Sequence, residues 1–216
     1  MSHHADSVFE NYKLIWDKTI SYMKEKYPID VLFLYSDKEI NHDYIILNNN
    51  LISKCEENYW NALLIKTING LKFFQDNDYE LVFKTNLSTI LNVHKFYDYC
   101  SNLNNDNVIY EGRIGSYSNY LFCSGAGMLL NKKSVKIILD NLDKVDDTWT
   151  DDIFIGYILN KLNGIQPIEN GLNRFDITSD IFLSDYIKNY THIRVKIREL
   201  DKDVYYTNKV FEIIYN

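Results

Sequence analysis

With two prolines and eight glycines in 216 residues, the chain has little punctuation. No Pro- or Gly-rich linker and no low-complexity tract divides it, so one domain over residues 1–216 is expected. Cysteine is scarce too. Cys55, Cys100 and Cys123 are odd in number and lack metal-site spacing, which argues against a disulfide framework and for a reducing compartment. No apolar run approaches the ~18 residues of a membrane span, and "MSHHADSVFENY" lacks the charged-then-apolar order of a secretory leader. A cytoplasmic location without a membrane span is therefore expected, and His3 and His4 are given no function. Positive charge is in deficit. A net charge of −7 opposes nucleic acid as partner, because such binding needs broad phosphate neutralisation. Neither G-x-x-x-x-G-K-[ST] nor G-x-G-x-x-G occurs, which removes the commonest nucleotide loops.

What is present is a large apolar fraction, 46%, sufficient for a substantial core. "SVFENYKLIWDKTISYMKEKY", which stops at Pro28, and "EENYWNALLIKTINGLKFF" carry apolar residues at helical spacing. "DVLFLYS", "DYIILN" and "YELVFKT" are short apolar runs of strand length. A helix from about Ser88 to Tyr99, capped by Asn86 or Ser88, follows. Strands near "NVIYEGRIG", "NYLFCSG" and "GIQPI" come next, interleaved with helices "KKSVKIILDNL", "TDDIFIGYILNKL", "SDIFLSDYIKN" and "DKDVYYTNKVFEIIY". Alternation of this kind predicts an α/β fold with a mostly parallel central sheet and helices on both faces.

Open α/β sheets bind ligands beyond the carboxyl ends of their strands. That rule selects Ser36 and Asp37, then Lys84, Thr85, Asn86 and Ser88, so a ligand is expected where the strands ending at Ser36 and Asn86 finish. "CSGAG" offers Gly125 and Gly127, where a missing Cβ admits a ligand or a neighbouring backbone. "TDD" puts Asp151 and Asp152 at a helix start, where acidic residues commonly serve as caps. Near the end, "HIRVKIRE" would, as a strand, put His192, Arg194, Lys196 and Arg198 on one face and Ile193, Val195 and Ile197 on the other. Such a row suits a small anion, or else protects an edge strand from pairing.

"YWNALLIKTINGLKFF", "YELVFKTNLS", "LFCSGAGMLLNKKSVKIIL" and "TDDIFIGYILNKLNGIQPI", in this order over residues 57–168, resemble segments of the inverting β-1,3-galactosyltransferase and Fringe-like glycosyltransferases. The counterparts in that family are Y-x-N-L-x-x-K-T, a strand ending in an acidic metal motif, C-S-G-x-G-Y-x-L-S and E-D-V-x-x-G. In size the chain is most similar to the small cytoplasmic glycosyltransferase domains of large DNA viruses, which act in the host cytoplasm or virus factory. The resemblance implies a single Rossmann-like GT-A domain that moves a sugar, with inversion, from a nucleotide sugar such as a UDP-sugar to a hydroxyl of a glycan or glycoprotein.

It also implies roles. Asp152 aligns with the family's base and Asp151 with the adjacent glutamate. Donor contacts fall to Ser36, Asp37, Lys84, Thr85, Asn86, Ser88, Arg113 and Gly125, and the diphosphate to His192, Arg194 and Lys196, with Arg198 at the margin. Trp149 could stack on an acceptor sugar or belong to the core. The family's divalent cation, Mn²⁺ or Mg²⁺, is held by a K-T-D-D-D motif, and this chain reads "KTNLS". Only neutral oxygens from Asn86 and Ser88 stand there, so the expected ligands reduce to Ser88 and His192, or cations replace the metal. Asp76 and Asp78 of "QDND" precede the strand and read as a solvated turn. The alternative to an enzyme is a non-catalytic module of the same fold that binds a nucleotide sugar or glycan.

Overall fold

The computed structural model describes residues 7–24, 26–57, 61–144, 146, 148–169, 171–181 and 183–216. His3, His4, Phe182 and the stretch 58–60 of the expected second helix lie outside them. In chain order the first elements are α1 (Ser7–Met23), β1 (Phe33–Ser36), β2 (Tyr44–Leu47), β3 (Asn50–Ser53), α2 (Asn61–Asp76), β4 (Leu81–Lys84), β5 (Thr89–Leu91) and α3 (Val93–Ser101). Next come β6 (Tyr110–Tyr117), β7 (Tyr120–Asn131), α4 (Lys132–Leu139) and α5 (Asp151–Gly156), which continues as a π-helical stretch, Tyr157–Leu162. β8 (Arg174–Ile177), β9 (His192–Val195) and α6 (Leu200–Tyr215) complete the chain.

Mixed α/β character is present, but among the described residues there is no mostly parallel central sheet. Three sheets of three strands form instead, ordered β1-β3-β2, β4-β7-β6 and β5-β9-β8. Only β1–β3 and β8–β9 run parallel; the other four pairings are antiparallel. The reason lies in the connections. Leu47 pairs with Asn50 and Tyr117 with Tyr120, leaving two-residue turns that can join only antiparallel neighbours. Asn48 and Ser118 take the left-handed backbone those turns need, at φ 57° and 53°. "GIQPI" forms only an isolated bridge, Ile168 with Glu111.

Backbone contacts gather into two compact units. The first comprises Val31–Lys84 and Asn104–Ile168, and the second residues 7–30, Thr85–Leu103 and Glu169–Asn216. In the first unit Leu64, Leu71 and Phe74 of α2 pack with Met128, Leu130, Ile138, Phe154 and Ile158. In the second, one face of β5-β9-β8 supplies Ile90, Ile177, Ile193 and Val195 to a core closed by Ile15, Ile187, Tyr206 and Val210. Each buried aliphatic side chain contributes about 1.5–3 kcal/mol.

The helix expected from Ser88 begins later. Thr89–Leu91 pairs with β9, and Asn92, not Asn86 or Ser88, caps α3 by accepting from the Lys95 N–H. Asp76 and Asp78 are exposed, at the end of α2 and in the turn after it, with Asp78 paired to Lys132 at 2.6 Å.

Candidate functional site

In the first unit, four of the singled-out segments meet at one ion pair. Lys84, at the end of β4, reaches the Asp151 carboxylate at 2.7 Å, with 10% and 2% of the two side chains exposed. Thr67 of α2 donates to Asp151 Oδ2 at 2.6 Å, and the Asp152 N–H donates to Asp151 Oδ1 at 2.9 Å. Asp151 is therefore a buried anchor with both oxygens engaged. Lys84 Nζ also donates to the Gly125 carbonyl at 3.2 Å, and the Gly125 N–H donates to Asp152 Oδ2 at 3.1 Å. A Cβ at Gly125 would lie 2.7 Å from Lys84 Nζ, so the glycine makes room for the lysine.

Asp152 is half-buried, and its Oδ1 accepts from the Thr150 hydroxyl at 2.6 Å and the Ile153 N–H at 3.0 Å. That set is what a capping carboxylate makes, and partial exposure still leaves the side chain open to solvent. Trp149 packs against the first unit's core and lies 4.9 Å from the Tyr157 ring. The contacts run on from Tyr157 to Tyr120, whose buried hydroxyl has no hydrogen-bond partner among the described residues.

A second cluster in this unit escaped sequence reading. Lys66, 1% exposed on α2, donates to both oxygens of Glu57, at 2.8 and 2.9 Å, and Ser36 donates to the same carboxylate. Burial pushes Glu57 up, but the Lys66 and Ser36 hydrogen bonds outweigh it and hold its carboxyl below the usual range. The available signal was polar Lys66, Thr67 and Asn69 among the apolar residues at the middle of α2, since buried polar groups need partners. Ser36 is thus committed to Glu57, and exposed Asp37 accepts from the Glu39 N–H at 2.9 Å in a local turn. Arg113 is exposed, at the bulge where the β6–β7 register shifts between Gly112 and Ile114.

The remaining residues lie in the second unit. Thr85, Asn86 and Ser88 follow Lys84, with β4 ending at Lys84 and not at Asn86. The Asn86 carbonyl accepts from Thr89 and the Ser88 carbonyl from Val195. β9 is the central strand of its sheet, bonded to β5 on one side and β8 on the other, so its cations do not protect an edge. Arg194 stands beside Thr89 and Asp176, and His192 beside Leu91 and Arg174.

His192 does not belong to the cationic row in charge. Burial, helped by the Arg174 guanidinium, pushes its imidazole down to about 3, so it is neutral at pH 7. Its Nδ1 lies 3.0 Å from the Thr191 hydroxyl. Arg174 and Asp176 pair at 3.0 Å, which consumes the one carboxylate that β8 contributes. Arg194 keeps a buried Nε with no hydrogen-bond acceptor among the described residues. Burial, then Arg194 and Arg198, push the Lys196 ammonium below its usual range, with Asp176 opposing. Arg198 lies past the strand at φ 72°, where Asp203 takes its N–H and that of Ile197. Arg194, Lys196 and Arg198 are thus three crowded cations, with Asp176 as the carboxylate beside them and no ion pair of their own among the described residues.

The implied divalent cation does not fit these residues. Ser88 stands opposite Val195 and His192 opposite Leu91, three positions along the ladder, or about 10 Å at the usual strand rise. One ion cannot be held by both. Among the described residues no group of three or more His, Cys, Asp or Glu side chains could hold a metal, and none of their helices is long and apolar enough to cross a membrane. No family model matches the chain, and no curated protein matches it.

Proposed function

We propose that the chain is a glycosyltransferase that moves a sugar from a nucleotide-sugar donor, such as a UDP-sugar, to a hydroxyl of a glycan or glycoprotein, with inversion. One observation carries the reading. Segments that resemble the transferase family converge in the first unit, with Thr67 bonded to Asp151 across 84 positions and Lys84, Gly125 and Asp152 around them. In the reaction, Asp152 takes the acceptor hydroxyl's proton as that oxygen attacks the anomeric carbon from the face opposite the leaving group. Asp151 and Thr67 are positioning residues, fixing the start of α5 through the Lys84 pair. Negative charge grows on the departing diphosphate, and cations fixed in advance stabilise that state more than the ground state. Arg194, Lys196 and Arg198 of the second unit are cations of a kind that binds a diphosphate. The base and the cation row lie in different units, and each is tested by itself.

A second reading is favoured by the capping geometry of Asp152: a non-catalytic module that binds a nucleotide sugar. Release of nucleoside diphosphate from UDP-glucose, UDP-galactose, UDP-N-acetylglucosamine and GDP-mannose, with and without simple glycoside acceptors, separates the two. Asp152→Asn should lower that release by about 10²- to 10⁴-fold while leaving donor affinity nearly unchanged. Donor binding without turnover in the wild type would establish the binding module and overturn the transferase.

A further inference from the structure

The second unit carries a small cavity that the transferase reading does not use. Its volume is about 230 Å³, and α3 contributes Lys95, Asp98 and Tyr99 to its wall. Asn189 ends the 3₁₀ turn Asp185–Asn189, Asn173 and Thr191 lie on either side of that turn, and Gly171 closes the lining. Gly171 is held at φ 56°, and a Cβ there would come within 2.0 Å of Tyr99 Cε2. The Tyr99 ring is therefore seated directly on backbone, as a fixed aromatic wall.

The polar groups in this cavity differ in how far they are committed. The Thr191 hydroxyl is occupied, donating to the Asn173 carbonyl at 2.7 Å. The carboxamides of Asn173 and Asn189, the Lys95 ammonium and the Asp98 carboxylate make no hydrogen bond or ion pair with another described residue. Lys95 and Asp98 are three apart on α3 and so share one face of it.

This set selects against most ligand classes. One cation and one anion leave the lining neutral, unlike the crowded Arg194, Lys196 and Arg198, so phosphate or sulfate gains little. A single carboxylate is too few for a divalent cation. With one aromatic wall and no aliphatic side chain in the lining, an apolar ligand would leave the polar groups unpaired. A sugar ring satisfies every group: its hydroxyls both donate and accept, matching two carboxamides, an ammonium and a carboxylate. Its axial C–H face packs on a tyrosine ring. We infer that this cavity is a saccharide-binding site for one neutral hexopyranose unit, lying wholly within the second unit and separate from the Asp152 network. The inference does not depend on the transferase reading.

The test is ¹H–¹⁵N NMR titration of the full chain with methyl glycosides of glucose, galactose, mannose and N-acetylglucosamine, alongside sulfate and choline. At least one glycoside should shift the Asn173 and Asn189 side-chain and Gly171 backbone signals saturably, with millimolar affinity. Asn189→Ala and Asn173→Ala, both at exposed positions, should each weaken that binding about tenfold, the effect of losing one hydrogen bond of about 1.4 kcal/mol. Asp152→Asn should leave it unchanged, which keeps this result apart from any outcome at the transferase site. Shifts with sulfate but no glycoside would make the cavity an anion site, shifts with choline alone a cation site, and no saturable shift no site. Each of those three results overturns the inference.

Discussion

At the scale of single residues, whether a polar side chain has a partner decides what it does. Asp151, Lys84 and Thr67 complete one another, and Gly125 is a glycine because the Lys84 ammonium occupies the place of its side chain. Tyr120 is the opposite case. It is 6% exposed, burial followed by Tyr117 and Tyr157 pushes its phenol up to about 12, and its hydroxyl is buried without a partner among the described residues. An unmet buried hydroxyl costs about 1–3 kcal/mol, so Tyr120→Phe should raise the unfolding free energy by about 1 kcal/mol. Urea denaturation of wild type and variant measures this. A less stable variant would mean that the hydroxyl is held by a partner after all.

At the scale of elements, β9 changes meaning through its neighbours. Read alone, "HIRVKIRE" is an edge strand guarded by charge or a row waiting for an anion; pairing with both β5 and β8 removes the first. Arg194→Ala should therefore weaken UDP binding by about 1.5–3 kcal/mol, the range for one charged hydrogen bond, and leave uridine binding nearly unchanged. The deficit should shrink as added salt screens the part of the attraction that reaches solvent. Calorimetric titration at two salt concentrations reads both effects, and equal UDP affinities for the two proteins would defeat the diphosphate role of this strand. The same pairing explains why α3 starts at Val93. Thr89 and Ile90 are β-branched and find hydrogen bonds on β9, which outweighs continuing the helix backward to Ser88.

At the scale of the whole molecule, His192 couples folding to pH. Its imidazole is pushed down to about 3 in the folded chain against about 6.5 unfolded, so below 6.5 the unfolded state binds the extra proton. Its contribution is fully present above pH 6.5 and is lost as pH falls toward 3. Between pH 6.5 and 5, where most carboxylates are still ionised, unfolding free energy should fall by up to about 1.4 kcal/mol per pH unit from this group. His192→Gln should flatten that slope, as chemical denaturation at several pH values can show. The same slope in both proteins would mean that His192 is free to protonate in the folded state.

Much of this protein was legible from sequence because it is set by neighbours a few residues apart. Helical spacing located α1 and α2, short apolar runs located β1 and β4, and alternation located β9, whose Ile193 and Val195 face the core as it requires. Candidate residues at Lys84, Gly125 and Asp151 stood out by type and order. Tertiary structure decided what local patterns do not encode. Strand direction and sheet membership follow from pairing partners, and an apolar strand buried on both faces reads the same in parallel and antiparallel sheets. The short β3 and β8 are specified by the strands they join, as much as by their own residues. The roles of Glu57, Lys66, Arg174 and Asp176 came from the fold alone, because a charge is assigned by the group it meets, and those groups are distant in sequence or lie across a sheet.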